Sequence, residues 1–444
     1  MKMKPTIRWF LLCLLSAVGA AEQQATPLAI VGGVLIDGWG GPPVERSVVI
    51  VRGEKIVAVG PIGEIDVPAN ARIVDASGMT VMPGLIDMHV HLGDIGHTDL
   101  HYPGVLYRNG RTREVMRLNA RTLLNAGVTT ARDVGAPLDE ILETRNRINR
   151  GELAGPRLFV SGPLLMKVFP PEDVADHWKV EGEDDARQKV RQLIARGVDL
   201  IKVRDLEKMT HAERAALVEE AHKAGKHLAT HGIYPAEIRA AFDAGFDRRD
   251  TFEHTGLLGN NPEYESELLR AVVAKEIHIV PTIIVIETFA QMEAYSGWKD
   301  SQDWKASMPP DLWKEVRASL DHYQKIWFFN LAKYNRKARR SKLEQLVRGG
   351  AQFAMGSDSG ARANPHTDAA WREMELMREI GINPTEVIMD STRVPAEILG
   401  VGSELGTLEP GKKADILVID GDPLQNMVVL RHPRHVIKGG VVYK

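Results

Sequence analysis

Val81-Met-Pro-Gly-Leu-Ile-Asp-Met-His-Val-His91 is the stretch that decides how the rest of the chain is read. A mostly apolar run ends in two imidazoles, the pattern of a buried strand with ligands at its tip. Strand side chains alternate faces, so His89 and His91 share one face, about 7 Å apart along the strand. Two neutral imidazoles converging there suit a divalent transition metal. Two ordinary strand-end histidines are the competing reading.

Working outward, apolar strand-like segments recur at 84–91, 127–133, 156–162, 199–204, 227–232, 251–256, 277–283 and 352–358. Helical patterns follow them, for example at 213–224, 236–244 and 262–275, and the eighth segment leads into 366–381. Eight strand–helix units predict an α/β fold, a (β/α)8 TIM barrel over residues 83–404, with its active site at the strands' C-terminal ends. A doubly wound sheet is the alternative, but no glycine-rich phosphate turn supports it. Short strand patterns at 28–34, 47–51, 55–59 and 72–74 return at 414–419 and 435–442. Residues 21–82 plus 405–444 are therefore expected to form one small composite β-sandwich domain. An insertion at 287–340 holds Trp298, Trp304, Trp313 and Trp327 and leads into a basic run at 333–342. It reads as packing tryptophans with a solvated helix face, or as a lid across the barrel mouth.

The amino terminus carries Lys2, Lys4 and Arg8, then an apolar run from Trp9 to Ala20. Residues 1–20 read as a secretory signal cleaved after Ala20, too short to span a bilayer comfortably. An exported chain, periplasmic or secreted, without a membrane anchor after cleavage, is the expectation. The single cysteine, Cys13, leaves with that segment, which excludes disulfides, thiol catalysis and thiolate ligands. Cleavage moves the net charge from −3 to −6, which argues against a nucleic-acid partner. A small molecule or dipeptide is the expected partner, and homo-oligomerisation stays open.

The strand ends assemble a constellation. His89 and His91 close the first, Lys202 the fourth (Asp-Leu-Ile-Lys-Val-Arg), His231 the fifth, His254 the sixth and Asp358 the eighth. Each alone is weak, since a lone strand-end histidine is more often a hydrogen-bonded core residue. Together they place four imidazoles, a carboxylate and an amine at one rim.

These residues, with 406–420 (Gly-Thr-Leu-Glu-Pro-Gly-Lys-Lys-Ala-Asp-Ile-Leu-Val-Ile-Asp), resemble the metal-dependent amidohydrolase superfamily. Gly127-Val-Thr-Thr-Ala-Arg-Asp133, His231 with Pro235 and Ile238-Arg239, and Ser357-Asp-Ser-Gly360 are most similar to its imidazolonepropionase-like, prolidase-type (Xaa-Pro dipeptidase-like) branch. The resemblance implies two divalent metal ions, zinc being expected. His89, His91 and Asp358 would hold one, His231 and His254 the other, with a carbamylated Lys202 bridging them. It further implies a metal-bridging hydroxide, with Asp358 as general base, attacking the amide of a dipeptide or N-acyl amino acid. An ion pair between Lys202 and an acid such as Asp205 is the structural alternative. A mononuclear deaminase or cyclic amidase of the same superfamily is the alternative function. Arg204, two residues beyond Lys202, is a candidate for a substrate carboxylate, or for a loop acid. Tyr234 is a candidate oxyanion donor, and His366 a candidate for positioning substrate or capping a helix. Residues 166–177 depart from the glycine-rich, histidine-containing loop of many relatives, which leaves the substrate open.

Overall fold

This computed structural model describes residues 26–444 apart from 100, 169–174, 256–258, 292–298 and 326. The expected signal segment 1–20, Trp298 and half of the 166–177 loop thus lie outside the described residues.

The run 81–91 divides between two layers. Met79–Pro83 pairs antiparallel with Ile416–Asp420 and parallel with Val34–Leu35, whereas Leu85–Val90 opens the barrel. The switch falls at Gly84, where a Cβ would lie 2.2 Å from Thr129 Oγ1, so only glycine lets the chain pass this close.

The barrel strands are β1 Leu85–Val90, β2 Val128–Asp133, β3 Arg157–Val160, β4 Ile201–Val203, β5 Leu228–Thr230, β6 Thr251–Glu253 and β7 His278–Val280. After a break, the chain of β3 continues as Leu164–Met166, which pairs with β4. All these neighbours run parallel, and the strands are buried almost throughout. The expected eighth strand is reduced to bridges at Phe353 with Ile279 and at Ser359 with Val90. Backbone bonds from Met88 N to Met355 O (2.9 Å), Asp358 N to His89 O (2.7 Å) and His91 N to Ser359 O (2.9 Å) close the ring. A Cβ at Gly356 would lie 2.2 Å from Val280 Cγ1 and 2.9 Å from His89 Cβ, so the missing side chain lets this segment wedge between β7 and β1.

Helices cover the outside, among them Thr112–Asn125, Leu138–Asn149, Glu183–Ala195, His211–Lys223, Pro235–Ala244, Ser266–Ala274 and Ala369–Glu379. Thr210 and Glu213 form a reciprocal capping box that starts the His211–Lys223 helix. Leu85, Val128, Val160, Ile201, Leu228 and Ile279 pack with inward faces of these helices as one apolar core.

Both chain ends build the small domain. One sheet orders Lys55–Pro61, Ser47–Arg52, Leu28–Val31 and Arg72–Asp75; the other orders Val441–Val442, His435–Lys438, Ile416–Asp420, Met79–Pro83 and Val34–Leu35. Ile30, Val49, Val51 and Ile56 of the first meet Val81, Ile416, Val418 and Ile437 of the second across a shared core.

Beyond β7 come the helices Ile283–Gln291, Gln302–Ala306, Pro310–Leu320 and Trp327–Arg348. Trp304, 1% exposed, packs edge-on to Trp313 within a separate cluster that joins Ile95, Tyr102 and Leu106 to Leu312, Val316 and Phe329. Thr98 also bonds Ser319 through both its amide and its hydroxyl, and Tyr102 Oη donates to Glu315. The insertion therefore buttresses the segment after β1. The helix carrying the basic run keeps the expected solvated face at Lys333, Tyr334 and Lys337, but Asn335, Arg339 and Lys342 are buried. Among the described residues no helix is long and apolar enough to cross a membrane.

Candidate metal centre

The strand ends open into a cavity of about 390 Å³ lined by His89, His91, Lys202, Arg204, His231, Tyr234, His254 and Asp358. Eight of the nine residues singled out from the sequence thus share one wall. The exception is His366, which is 4% exposed and lies behind Gly360 against the His91 backbone, outside the cavity lining. Nor does His366 cap the next helix, whose N-cap is Asp368.

Three side chains converge most tightly. His89, His91 and Asp358 each place a ligand atom within 4.8 Å of the others. Asp358 Oδ1 lies 3.2 Å from His91 Nε2 and 3.6 Å from His89 Nε2. The rings continue in a chain: His89 to His254 at 5.0 Å between centroids, and His254 to His231 at 4.5 Å. The 5.3 Å between the His89 and His91 centroids is shorter than their spacing along a strand, and a register shift between Asp87 and Val90 accompanies it.

Which nitrogen faces the cavity is decided behind the rings. His89 Nδ1 meets Glu253 Oε2 at 2.6 Å, and His254 Nδ1 meets Thr282 Oγ1, leaving both Nε2 atoms available as ligands. Glu253 is itself held by Arg132 Nη2 at 2.7 Å and by Thr251 Oγ1 at 2.6 Å, while Arg132 Nε donates to Met88 O. Arg132 and Glu253 side chains are both 0% exposed. The sequence reading missed this pair, although Arg132 stands inside the quoted Gly127–Asp133 run and Glu253 inside the strand segment 251–256. Strand ends also carry left-handed backbone: φ is +63° at His254, +43° at Thr282 and +53° at Asp358. Such strain concentrates at functional positions.

Burial governs the charges. It pushes His89 down to about 4, and His231 and His254 well below the usual histidine range, so these rings are neutral at pH 7. Burial would raise Glu253, but Arg132 and Lys202 hold it well below the ordinary carboxylate range. Asp358 is likewise held low against burial, by His89, His91 and His254. Burial brings Lys202 down to about 8, against the pull of Glu253. Lys202 is 2% exposed, and its Nζ has no hydrogen-bond partner among the described residues. Asp205 is not its partner; that carboxylate accepts from Lys208 at 3.1 Å and from the Val168 amide.

Further polar groups line the same cavity. Arg362 lies four residues beyond Asp358, and Asp94 three beyond His91. Ile95, Leu106, Val285 and Ile286, with Tyr102 stacked on His97 at 3.8 Å, give it apolar walls as well.

Comparison with known proteins agrees with this geometry. Residues 80–442 match the amidohydrolase family. The chain belongs to that family. It is 25% identical to ochratoxinase from Aspergillus niger, over 96% of this chain and 88% of that one. It is 24% identical to imidazolonepropionase from Geobacillus kaustophilus, over 90% of each. Among solved structures, a Xaa-Pro dipeptidase with bound methionine in the active site superposes with a TM-score of 0.75 at 25% identity, covering 94% of this chain and all of that one. The chain is thus an amidohydrolase, an enzyme that hydrolyses carbon–nitrogen bonds, and the imidazolonepropionase-like, prolidase-type resemblance holds.

Replacing Glu253 with Gln would strand the Arg132 charge in the barrel interior. The metal-free variant is expected to lose about 3–5 kcal/mol of stability, read by urea unfolding beside the metal-free parent.

Proposed function

We propose that this amidohydrolase cleaves the amide bond of a small carboxylate-bearing substrate, a dipeptide or an N-acyl amino acid, at a two-metal site. The observation that carries this reading is Lys202, a buried amine without a hydrogen-bond partner among the described residues, on a cavity wall shared with four histidines and Asp358. The donor set fits divalent ions, and imidazole with carboxylate favours zinc. His89, His91 and Asp358 would hold one ion and His231 and His254 the second. A carbamate on Lys202 would supply one oxygen to each. Its formation joins neutral Nζ to the carbon of carbon dioxide and releases one proton, leaving an anion that can ligate where the protonated amine could not.

Bound there, the metals would acidify a water molecule and polarise the scissile carbonyl. Asp358 then serves as proton carrier: one carboxylate oxygen accepts the proton of the attacking water and delivers it to the departing nitrogen. Glu253 and Thr282 keep His89 and His254 from rotating while this happens. Arg204, joined on the wall by Arg362, offers guanidinium donors to the substrate carboxylate. Tyr234, exposed at the head of the Pro235–Ala244 helix, is the candidate donor to the oxyanion. Export, to the periplasm or beyond, belongs to the same proposal and rests on residues 1–20.

Metal content per chain tests the centre. Protein purified with bicarbonate and without chelator is expected to hold two equivalents of zinc, falling to one or none in Lys202→Ala. One equivalent, unchanged by that substitution, would move the assignment to a mononuclear deaminase or cyclic amidase.

Substrate recognition is tested with dipeptides and N-acyl amino acids against their C-terminal amides. The free acids should be cleaved at least tenfold better in kcat/KM, and Arg204→Met should erase most of that preference through KM. Equal rates on acid and amide would sink the carboxylate assignment.

Only the unprotonated amine adds carbon dioxide, and burial places Lys202 near 8. Recovery of metal-stripped, decarbonated protein at fixed dissolved carbon dioxide and zinc should therefore accelerate from pH 6 to about 8 and level off above. A rate that falls over that interval would contradict the assignment.

A further inference from the structure

Arg339 lies in the middle of the Trp327–Arg348 helix, within the basic run, yet is 3% exposed. Its Nη2 donates to Pro281 O at 3.0 Å and Thr282 O at 3.1 Å, and its Nη1 to Ile283 O at 3.4 Å. Three successive carbonyls thus converge on one guanidinium. The opposite side of the same turn is held by Glu373, from the Ala369–Glu379 helix, which accepts from Ile283 N at 2.7 Å and Ile284 N at 2.8 Å. Gripped from both sides is Thr282, fully buried and at φ +43°, a conformation unfavourable for a β-branched residue. Its hydroxyl is the partner of His254 Nδ1.

We infer that Arg339 is a positioning residue for the second metal: it pins the strained Thr282 turn so that the threonine hydroxyl orients His254. The inference rests on the two-metal reading above. Nothing in it requires Arg339 to touch substrate. The seventh unit's long helix, which begins within the insertion, thereby reaches the metal centre through one side chain. A lysine would fit less well, because its single ammonium cannot span three carbonyls spread along a turn. Loss of such outer support typically weakens metal binding by about 10–100-fold.

The test is zinc per chain at equilibrium with buffered free zinc, for the parent, Arg339→Met, Arg339→Lys, Thr282→Val and the Arg339→Met/Thr282→Val double variant. The first equivalent should titrate as in the parent in every case. The second should need about 10–100-fold more free zinc in Arg339→Met and in Thr282→Val. Arg339→Lys should recover part of the loss, and the double variant should be no worse than the poorer single one. A second equivalent unchanged in Arg339→Met, or a double-variant loss equal to the product of the two single losses, would overturn the inference while leaving the two-metal reading intact. Should Arg339→Met fail to fold, an Arg339→Lys that titrates as the parent, or a Thr282→Val that does, would overturn it equally. A parent that binds one zinc removes the two-metal reading, and this inference falls with it.

Discussion

A charged pair with no exposure at all, Arg132 and Glu253, sits at the heart of the barrel, and the site is organised around it. Taking two ions out of water costs several kcal/mol each, and mutual attraction repays this only when the remaining donors and acceptors are also satisfied. Here they are: Arg132 reaches Met88 O and Thr251, and Glu253 accepts from Arg132, Thr251 and His89. β1, β2 and β6 are thereby tied together inside the barrel. The return on that desolvation is a His89 ring whose tautomer and rotation are settled before any ligand arrives.

The same logic of outside support runs round the rim. Strand ends present the ligands, but neighbouring groups aim them: Glu253 for His89, Thr282 for His254, the Gly135 carbonyl at 3.4 Å for His91. The segment after β1 forms much of the cavity's apolar wall and is backed by the insertion's own core. Burial keeps His89, His231 and His254 neutral and draws Lys202 toward the neutral form it needs to react, whereas at His91 Asp358 outweighs burial and pushes the ring up to about 9.

Much of this was legible in the chain itself. Strand alternation places His89 and His91 on one face, and the recurrence of a polar residue at successive strand ends marks the rim. What stayed hidden depended on geometry that periodicity does not encode. Glu253 immediately precedes His254, and alternation assigns neighbours to opposite faces; the left-handed turn at His254 lets one reach His89 and the other line the cavity. Arg339 was hidden by its company, since a basic run on a helix ordinarily faces water, whereas here three carbonyls bury it. His366 misled in the other direction: it follows the Asp358 motif closely, but the chain folds it behind Gly360. The eighth strand was placed correctly but lacks a regular ladder, because Gly356 and the turn at Asp358 let the chain wedge rather than pair.

The sheet switch at Gly84 has a temporal meaning. Met79–Pro83 finds its antiparallel partner only in Ile416–Asp420, more than three hundred residues later. Contacts this distant in sequence form late, after nearby ones have been made. The strand leading directly into His89 therefore stays without that partner until more than three hundred further residues have been made. Two of the metal-binding candidates hang from an anchor made more than three hundred residues after them, so a chain cut before that anchor exposes its histidines without the frame that gives them their geometry.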